Sequence, residues 1–217
     1  MARIPLKSFP YLHSVIDKRY SGQTPIICRG VRDARHKLIP KVGRLAHYTL
    51  RLEGDVMQLF KMYGVSFLDS EPKNEWESLA IAQHHGLPTR LLDWTYNPLV
   101  AAFFAVEQPS ESDSAIYAMP APMIIDPYRV KNPLGRGSGV DIFYPRHVNR
   151  RIAAQSGVFT VHWNPTKSIN RNSIDKLVIS KSLRSNFRIV LARYGIHRGT
   201  LFPDLDGQAR YIQWLKT

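Results

Sequence analysis

Between Trp76 and Val106 the apolar positions fall into two helical segments with a compact polar turn between them. Trp76, Leu79, Ala80 and Gln83 share one face at helical spacing. Gly86 can adopt the left-handed backbone that ends a helix, and Pro88 prevents its resumption. Asn97-Pro98 then opens a second helix with a side-chain cap and the residue favoured at the first helical position. From Leu99 to Val106 no residue is charged. A helix apolar all round must be buried on every side, so this one is expected to form the core's central packing surface. The intervening His84, His85, Thr89, Arg90, Asp93, Trp94 and Thr95 can all hydrogen-bond, and between two buried segments they need partners or a ligand.

The rest of the chain alternates more irregularly. Residues 1–24 read as a polar arm or short helix ahead of a domain spanning 25–217. Ile26-Ile27-Cys28 predicts a short buried strand ending in Arg29 and Gly30. The stretch from Val31 to Tyr48 is basic and loop-like, and Leu52, Val56, Leu59, Phe60 and Tyr63 predict a helix over about 50–63, stopped by Gly64. Pro72 suits the first turn of the following helix. Strands are expected at 115–119, at 157–163 with the alternation of a half-buried strand, and at 176–180. Helices are expected at 150–155, from Leu183 to Tyr194, and at about 203–215. Residues 120–145 read as one long loop containing Gly135-Arg136-Gly137-Ser138-Gly139. That glycine run lacks the Lys-Ser/Thr ending of a phosphate loop. The pattern predicts an α+β fold: a single domain with a mixed sheet and helices packed on it.

Composition adds two constraints. With 217 residues, 44% of them hydrophobic, the chain can bury one good core. No segment has the apolar length of a membrane span, and MARIPLKSFPYLHSV has no apolar signal-peptide core, so a cytoplasmic protein without membrane contact is expected. Charge changes the picture further: thirty Lys and Arg against seventeen Asp and Glu leave a formal +13. Such an excess attracts polyanions, and nucleic acid is the commonest large one, with Arg32, Arg35, Lys37, Lys41 and Arg44 as candidate contacts. A generally basic, soluble surface is the plainer alternative.

The run AQHHGLPTRLLDWTYNPLVAAFFA resembles the central motif of the FRG domain family, named for an upstream Phe-Arg-Gly that here reads Cys28-Arg29-Gly30. Gln155-Ser156-Gly157-Val158-Phe159 and Leu201-Phe202-Pro203-Asp204-Leu205-Asp206-Gly207 extend the resemblance over about 26–215. FRG domains have been likened to the ADP-ribosyltransferase fold and tend to occur in bacterial and phage conflict systems. The resemblance therefore implies NAD as a substrate, with a role in antiphage defence or as a toxin.

Candidate site residues carry competing readings. Arg29, beside a glycine that lets other groups approach, can grip a diphosphate or ribose with its planar fork, or can pair structurally with Asp93 or Glu77. In the ADP-ribosyltransferase likeness this is where the dinucleotide-gripping residue falls. His84 or His85 can bind or move a proton, or serve as a cap or core residue. Adjacent helical residues point about 100° apart, and no second His/Cys pair stands at ligand spacing, so no metal is expected. Asp93 can orient Arg29 or Arg90, accept from ribose, or cap a turn. Trp94 can stack on a base, although a core tryptophan is the commoner fate. The likeness places Gln155 where that fold usually has Glu, and a Gln cannot supply the charge, which either weakens the enzyme reading or moves the acid to Glu77, Asp93 or Asp204. NAD is thus expected at Arg29, Gly30, His84, His85, Thr89, Arg90, Asp93 and Trp94, with catalysis by Arg29, His84, Asp93 and Gln155. A non-catalytic nucleic-acid-binding module and a metal-independent nuclease are the alternatives.

Overall fold

Strand β4 (Ser114–Pro120), buried from Ser114 to Met119, is the middle of one half of the sheet. The computed structural model describes residues 1–22, 25–68, 70–135, 137–145, 150–169 and 173–217. β4 pairs antiparallel with β2 (Ile26–Val31) on one side and β7 (Asp175–Ile179) on the other. β1 (Ala2–Leu6) lies parallel to β7 at the edge. Beyond β2 come β3 (Leu91–Thr95), β6 (Gly157–His162) and β5 (Val140–Phe143), giving a seven-stranded order β1-β7-β4-β2-β3-β6-β5. One parallel pair among antiparallel ones makes the sheet mixed, and helices pack on it, as the α+β pattern predicts.

Strand alternation sorts the side chains. Cys28, Ile116, Ala118, Leu177 and Ile179 meet α1 (Phe9–Tyr20), α4 (Pro98–Val106) and α6 (Arg184–Arg193) in one apolar cluster. Farther along, Leu91, Phe143, Phe159 and Val161 meet α2 (Leu50–Gly64) and α3 (Glu75–His84) through Met57, Trp76 and Leu79. Ile27, Leu92, Trp94, Tyr117 and Val158 belong to a third cluster, closed by Ala34, Leu38, Ile169 and Ile174 from connecting segments. Two helical groups therefore cover the two ends of the sheet, and the β2–β3 boundary lies between them.

The caps read from sequence form as expected. The Asn97 side chain accepts from the Leu99 N–H at 2.9 Å with Pro98 at the helix start, and Gly86 ends α3 at φ 84°. Helix α4 is buried at Val100–Phe103, Ala105 and Val106, and it sits directly on β2: a Cβ at Gly30 would stand 1.9 Å from the Ala101 carbonyl oxygen.

Several expectations are corrected. The N-terminal residues form the expected short helix, α1, but also a strand that was not expected: β1 enters the sheet, and α1 is tied to it by Arg19, whose guanidinium holds Asp175 at 2.7 Å. The polar stretch after α3 is a strand, β3, not a turn. The 120–145 segment includes β5, and Ile125 N–H donates to the Ile142 oxygen at 2.7 Å. Pro72 lies ahead of α3, whose cap is Asn74. β6 is buried from Val158 to His162, not half-buried. In the glycine run, Gly137 is pressed against Trp163, where a Cβ would stand 2.3 Å from the ring; Arg136 lies outside the described residues. Short helices α5 (Arg150–Ala154) and α7 (Arg198–Leu201) precede the last, α8 (Leu205–Lys216). Among the described residues, no helix is long and apolar enough to cross a membrane.

Candidate functional site

The two halves of the sheet barely touch. β2 and β3 share one register pair, Cys28 with Thr95, whereas β2 pairs with β4 from Ile26 to Val31 and β3 with β6 along its whole length. Continued antiparallel pairing would set Gly30 opposite Asp93, but the strands have diverged by then. A cleft of about 490 Å³ opens there, bordered by Arg29–Arg32 on one side and by Gln83, His84 and Asp93 on the other. Its size is within the range of ligand sites.

Arg29 fills the wedge of the split. Its Nη1 donates to the Asp93 carbonyl oxygen at 2.5 Å and lies 3.5 Å from Asp93 Oδ2, so a side chain takes up a carbonyl that a neighbouring strand would otherwise bond. Nε and Nη2 donate to no protein atom among the described residues. Burial pushes the Arg29 pKa down; Asp93 opposes this and Arg44 adds to it. A guanidinium stays charged regardless, and a largely buried cation with free donors suits an anion.

Asp93 is held from the other side as well. Gln83, at the last turn of α3, places Nε2 3.1 Å from both carboxylate oxygens. The Gln83 oxygen accepts from Thr89 Oγ1 at 2.6 Å, and Thr89 Oγ1 accepts from the Leu91 N–H at 3.1 Å. His84 is half-buried on the cleft wall; burial first, then His85 and Arg151, lowers its pKa against the opposing Asp93, which favours the neutral ring. His85 is exposed and does not border the cleft, its ring edge-on to that of His84.

The remaining expected residues separate clearly. Arg90 is fully buried, with Nε 3.0 Å and Nη2 2.7 Å from the two Glu53 oxygens, so it braces α2 and cannot meet a ligand. Thr89 is likewise fully buried. Trp94 borders the cleft, yet its ring is in the core and its N–H donates to Thr160 at 2.9 Å, which removes it as a stacking surface. Gln155 reaches the cleft, but its side-chain NH2 donates to the Leu201 oxygen at 2.9 Å, and its main-chain carbonyl accepts from Thr95 Oγ1 at 2.7 Å. Gly30 borders the cleft and gives α4 its close approach.

Among the carboxylates, Glu77 accepts from the Lys73 N–H beside the start of its own helix. Asp204 caps α8, and Arg151 followed by the Gly207 N–H holds its pKa below the ordinary value. Glu107 borders the cleft but is committed to Arg198. Asp93, with its side chain 59% exposed, is the acid open to the cleft. Of the basic set, Arg32 borders the cleft and donates to Gln108 at 3.1 Å. Arg35 is paired with Asp33, Lys37 is exposed, Lys41 donates to the Gly86 oxygen, and Arg44 lies near enough to Arg29 to depress it.

Gln83, Arg151, Phe104 and Phe202 also border the cleft and were not anticipated as site residues. Gln83 alone left a signal, a polar residue on an otherwise apolar helical stripe. Among the described residues, no group of three or more His, Cys, Asp or Glu is placed to hold a metal ion.

Residues 24–114 match the model of the FRG domain, which takes in β2, α3, β3 and α4 but stops before Gln155. No curated protein and no solved structure matches the chain.

Proposed function

We propose, from the premise that this chain carries an FRG domain at residues 24–114, that its cleft binds NAD and transfers ADP-ribose to a polyanionic acceptor, DNA or RNA before protein. The split between β2 and β3 carries the reading, because it ranges Arg29, Gln83, His84 and Asp93 around one cleft. Arg29 offers Nε and Nη2 to the diphosphate, and its planar fork suits two phosphate oxygens at once. The bond between the nicotinamide nitrogen and the ribose carbon breaks, and its electron pair leaves with nicotinamide. Asp93 offsets the positive charge that develops on the ribose, a task Gln155 cannot perform. A nucleophilic oxygen or nitrogen of the acceptor forms the new bond, and its proton passes to neutral His84. In this reading the protein acts in a bacterial or phage conflict system.

The test is incubation with NAD, with and without nucleic acid, and detection of free nicotinamide. Nicotinamide release that depends on Asp93 supports the reading, and no release under any acceptor condition ends it. A second reading, a non-catalytic nucleic-acid-binding module, is favoured by the +13 charge and by Arg32 at the rim of the cleft. Salt-sensitive nucleic-acid binding without nicotinamide release marks that case.

A further inference from the structure

The Asp93 carboxylate is more than half exposed, and a carboxylate so placed ordinarily samples several orientations. Here a chain of hydrogen bonds with only one possible polarity fixes it. The Leu91 main-chain N–H can only donate, and it occupies a lone pair of Thr89 Oγ1 at 3.1 Å. Thr89 is fully buried, so its hydroxyl hydrogen has no water to turn to and points to Gln83 Oε1 at 2.6 Å. With its oxygen engaged, the Gln83 amide must present its NH2 group to Asp93, 3.1 Å from each carboxylate oxygen. The backbone of β3 thus sets a hydroxyl, the hydroxyl sets an amide, and the amide sets the acid.

We infer that Gln83 is the positioning residue of the cleft: locked by Thr89, it holds Asp93 toward the ligand while leaving its negative charge intact. Arg29 Nη1 approaches the same carboxylate only at 3.5 Å, a long contact that leaves most of its charge available to a developing cation, whereas a lysine or arginine at position 83 would neutralise it at hydrogen-bond distance. A glutamine orients it without cancelling it. Gln83 stands in the last turn of α3, Thr89 in the connecting segment after Gly86, and Asp93 at the centre of β3. That geometry explains why a polar side chain sits on the buried stripe of α3.

The role in catalysis rests on the NAD reading, whereas the lock itself does not, and two measurements separate them. The first uses no NAD: crystal structures of Thr89→Val, Thr89→Ser and wild type. Valine has the shape of threonine but no hydroxyl, so the Gln83 amide is released and the Asp93 carboxylate leaves its place beside Nε2. Serine keeps both groups in place. An Asp93 carboxylate unmoved in Thr89→Val overturns the lock, whatever the protein does with NAD. The second is steady-state nicotinamide release. Gln83→Met and Thr89→Val lower kcat about 10- to 100-fold, the scale of losing a fixed catalytic geometry, while KM changes little, and Thr89→Ser recovers most of the loss. Equal losses in kcat for serine and valine, or unchanged kcat in Gln83→Met, overturn the positioning role. A wild type that releases no nicotinamide removes the NAD reading and with it the catalytic half of the inference, and leaves the crystallographic result to decide the lock.

Discussion

Arg29 reaches across the split of the sheet to Asp93, with Nη1 2.5 Å from its main-chain oxygen and 3.5 Å from Oδ2. The pair closes the apex of the cleft, and its ionic half is long and wet. Arg29→Ala should therefore cost about 1–3 kcal/mol of stability: the Asp93 carboxylate it abandons is already solvated, but the Asp93 main-chain oxygen loses a charge-assisted donor. NAD binding should weaken by about 1.5–3 kcal/mol through loss of a charge-assisted contact, and Arg29→Lys should rescue it poorly. Thermal melts of the three proteins with and without millimolar NAD check both numbers. A wild-type melting point indifferent to NAD, with Arg29→Ala melting far lower, would make Arg29 a structural residue.

The buried Arg90–Glu53 pair should behave in the opposite way. Both side chains are fully buried, so Glu53→Gln strands a guanidinium in the core and should cost about 3–5 kcal/mol. Urea denaturation measures the loss. If binding at the cleft fell while stability held, Arg90 would have to be returned to the site.

Gly30→Ala tests how closely α4 lies on β2. A Cβ there meets the Ala101 oxygen at 1.9 Å and the Ala105 nitrogen at 2.6 Å, both main-chain atoms that cannot turn aside. The helix must shift, and a loss of roughly 1–3 kcal/mol or more is expected. A variant as stable as wild type would mean that α4 floats.

Acid should destabilise the fold through His162. Burial first, then Arg29 and Arg90, pushes its pKa down to about 3, well below the ordinary 6.5. Between those values the unfolded chain binds a proton that the folded chain refuses. Stability from this group is therefore complete above about pH 6.5 and falls as pH drops toward 3, by at most about 1.4 kcal/mol per pH unit. Burial also lowers His84 and His197, so they add to the same acid loss. Urea midpoints from pH 7 to pH 5 should fall less steeply for His162→Gln than for wild type, and an unchanged slope would count against the buried neutral ring.

For the basic rim, nucleic-acid affinity should fall linearly in log–log against salt as phosphates release counterions. Reversing Arg32, Lys37 and Arg44 together should flatten that slope without lowering the melting point. Absence of binding at low salt would leave the +13 charge as a matter of solubility.

The periodic, locally encoded parts of this protein were legible in its sequence. Asn97-Pro98 and Gly86 delimit helices through their own side chains and backbone, and the uncharged Leu99–Val106 run could only be buried. Arg29 and Asp93 were already a possible pair, and His84 a possible site residue. What the chain order concealed is long-range. β3 was mistaken for part of a turn because Leu91, Leu92, Asp93, Trp94 and Thr95 form a strand only when β6 pairs with them, 66 residues away at Trp94 and Thr160 by their hydrogen bond. β1 is five residues long and has no signal of its own until β7 lies beside it. The burial of Arg90 depends on Glu53 from α2, which no local pattern connects to it. The cleft itself follows from pairing that stops after Cys28 and Thr95. Where two strands cease to pair is decided by what packs on each of them, here α4 on β2 and α3 beside β3, and so it belongs to the tertiary structure alone.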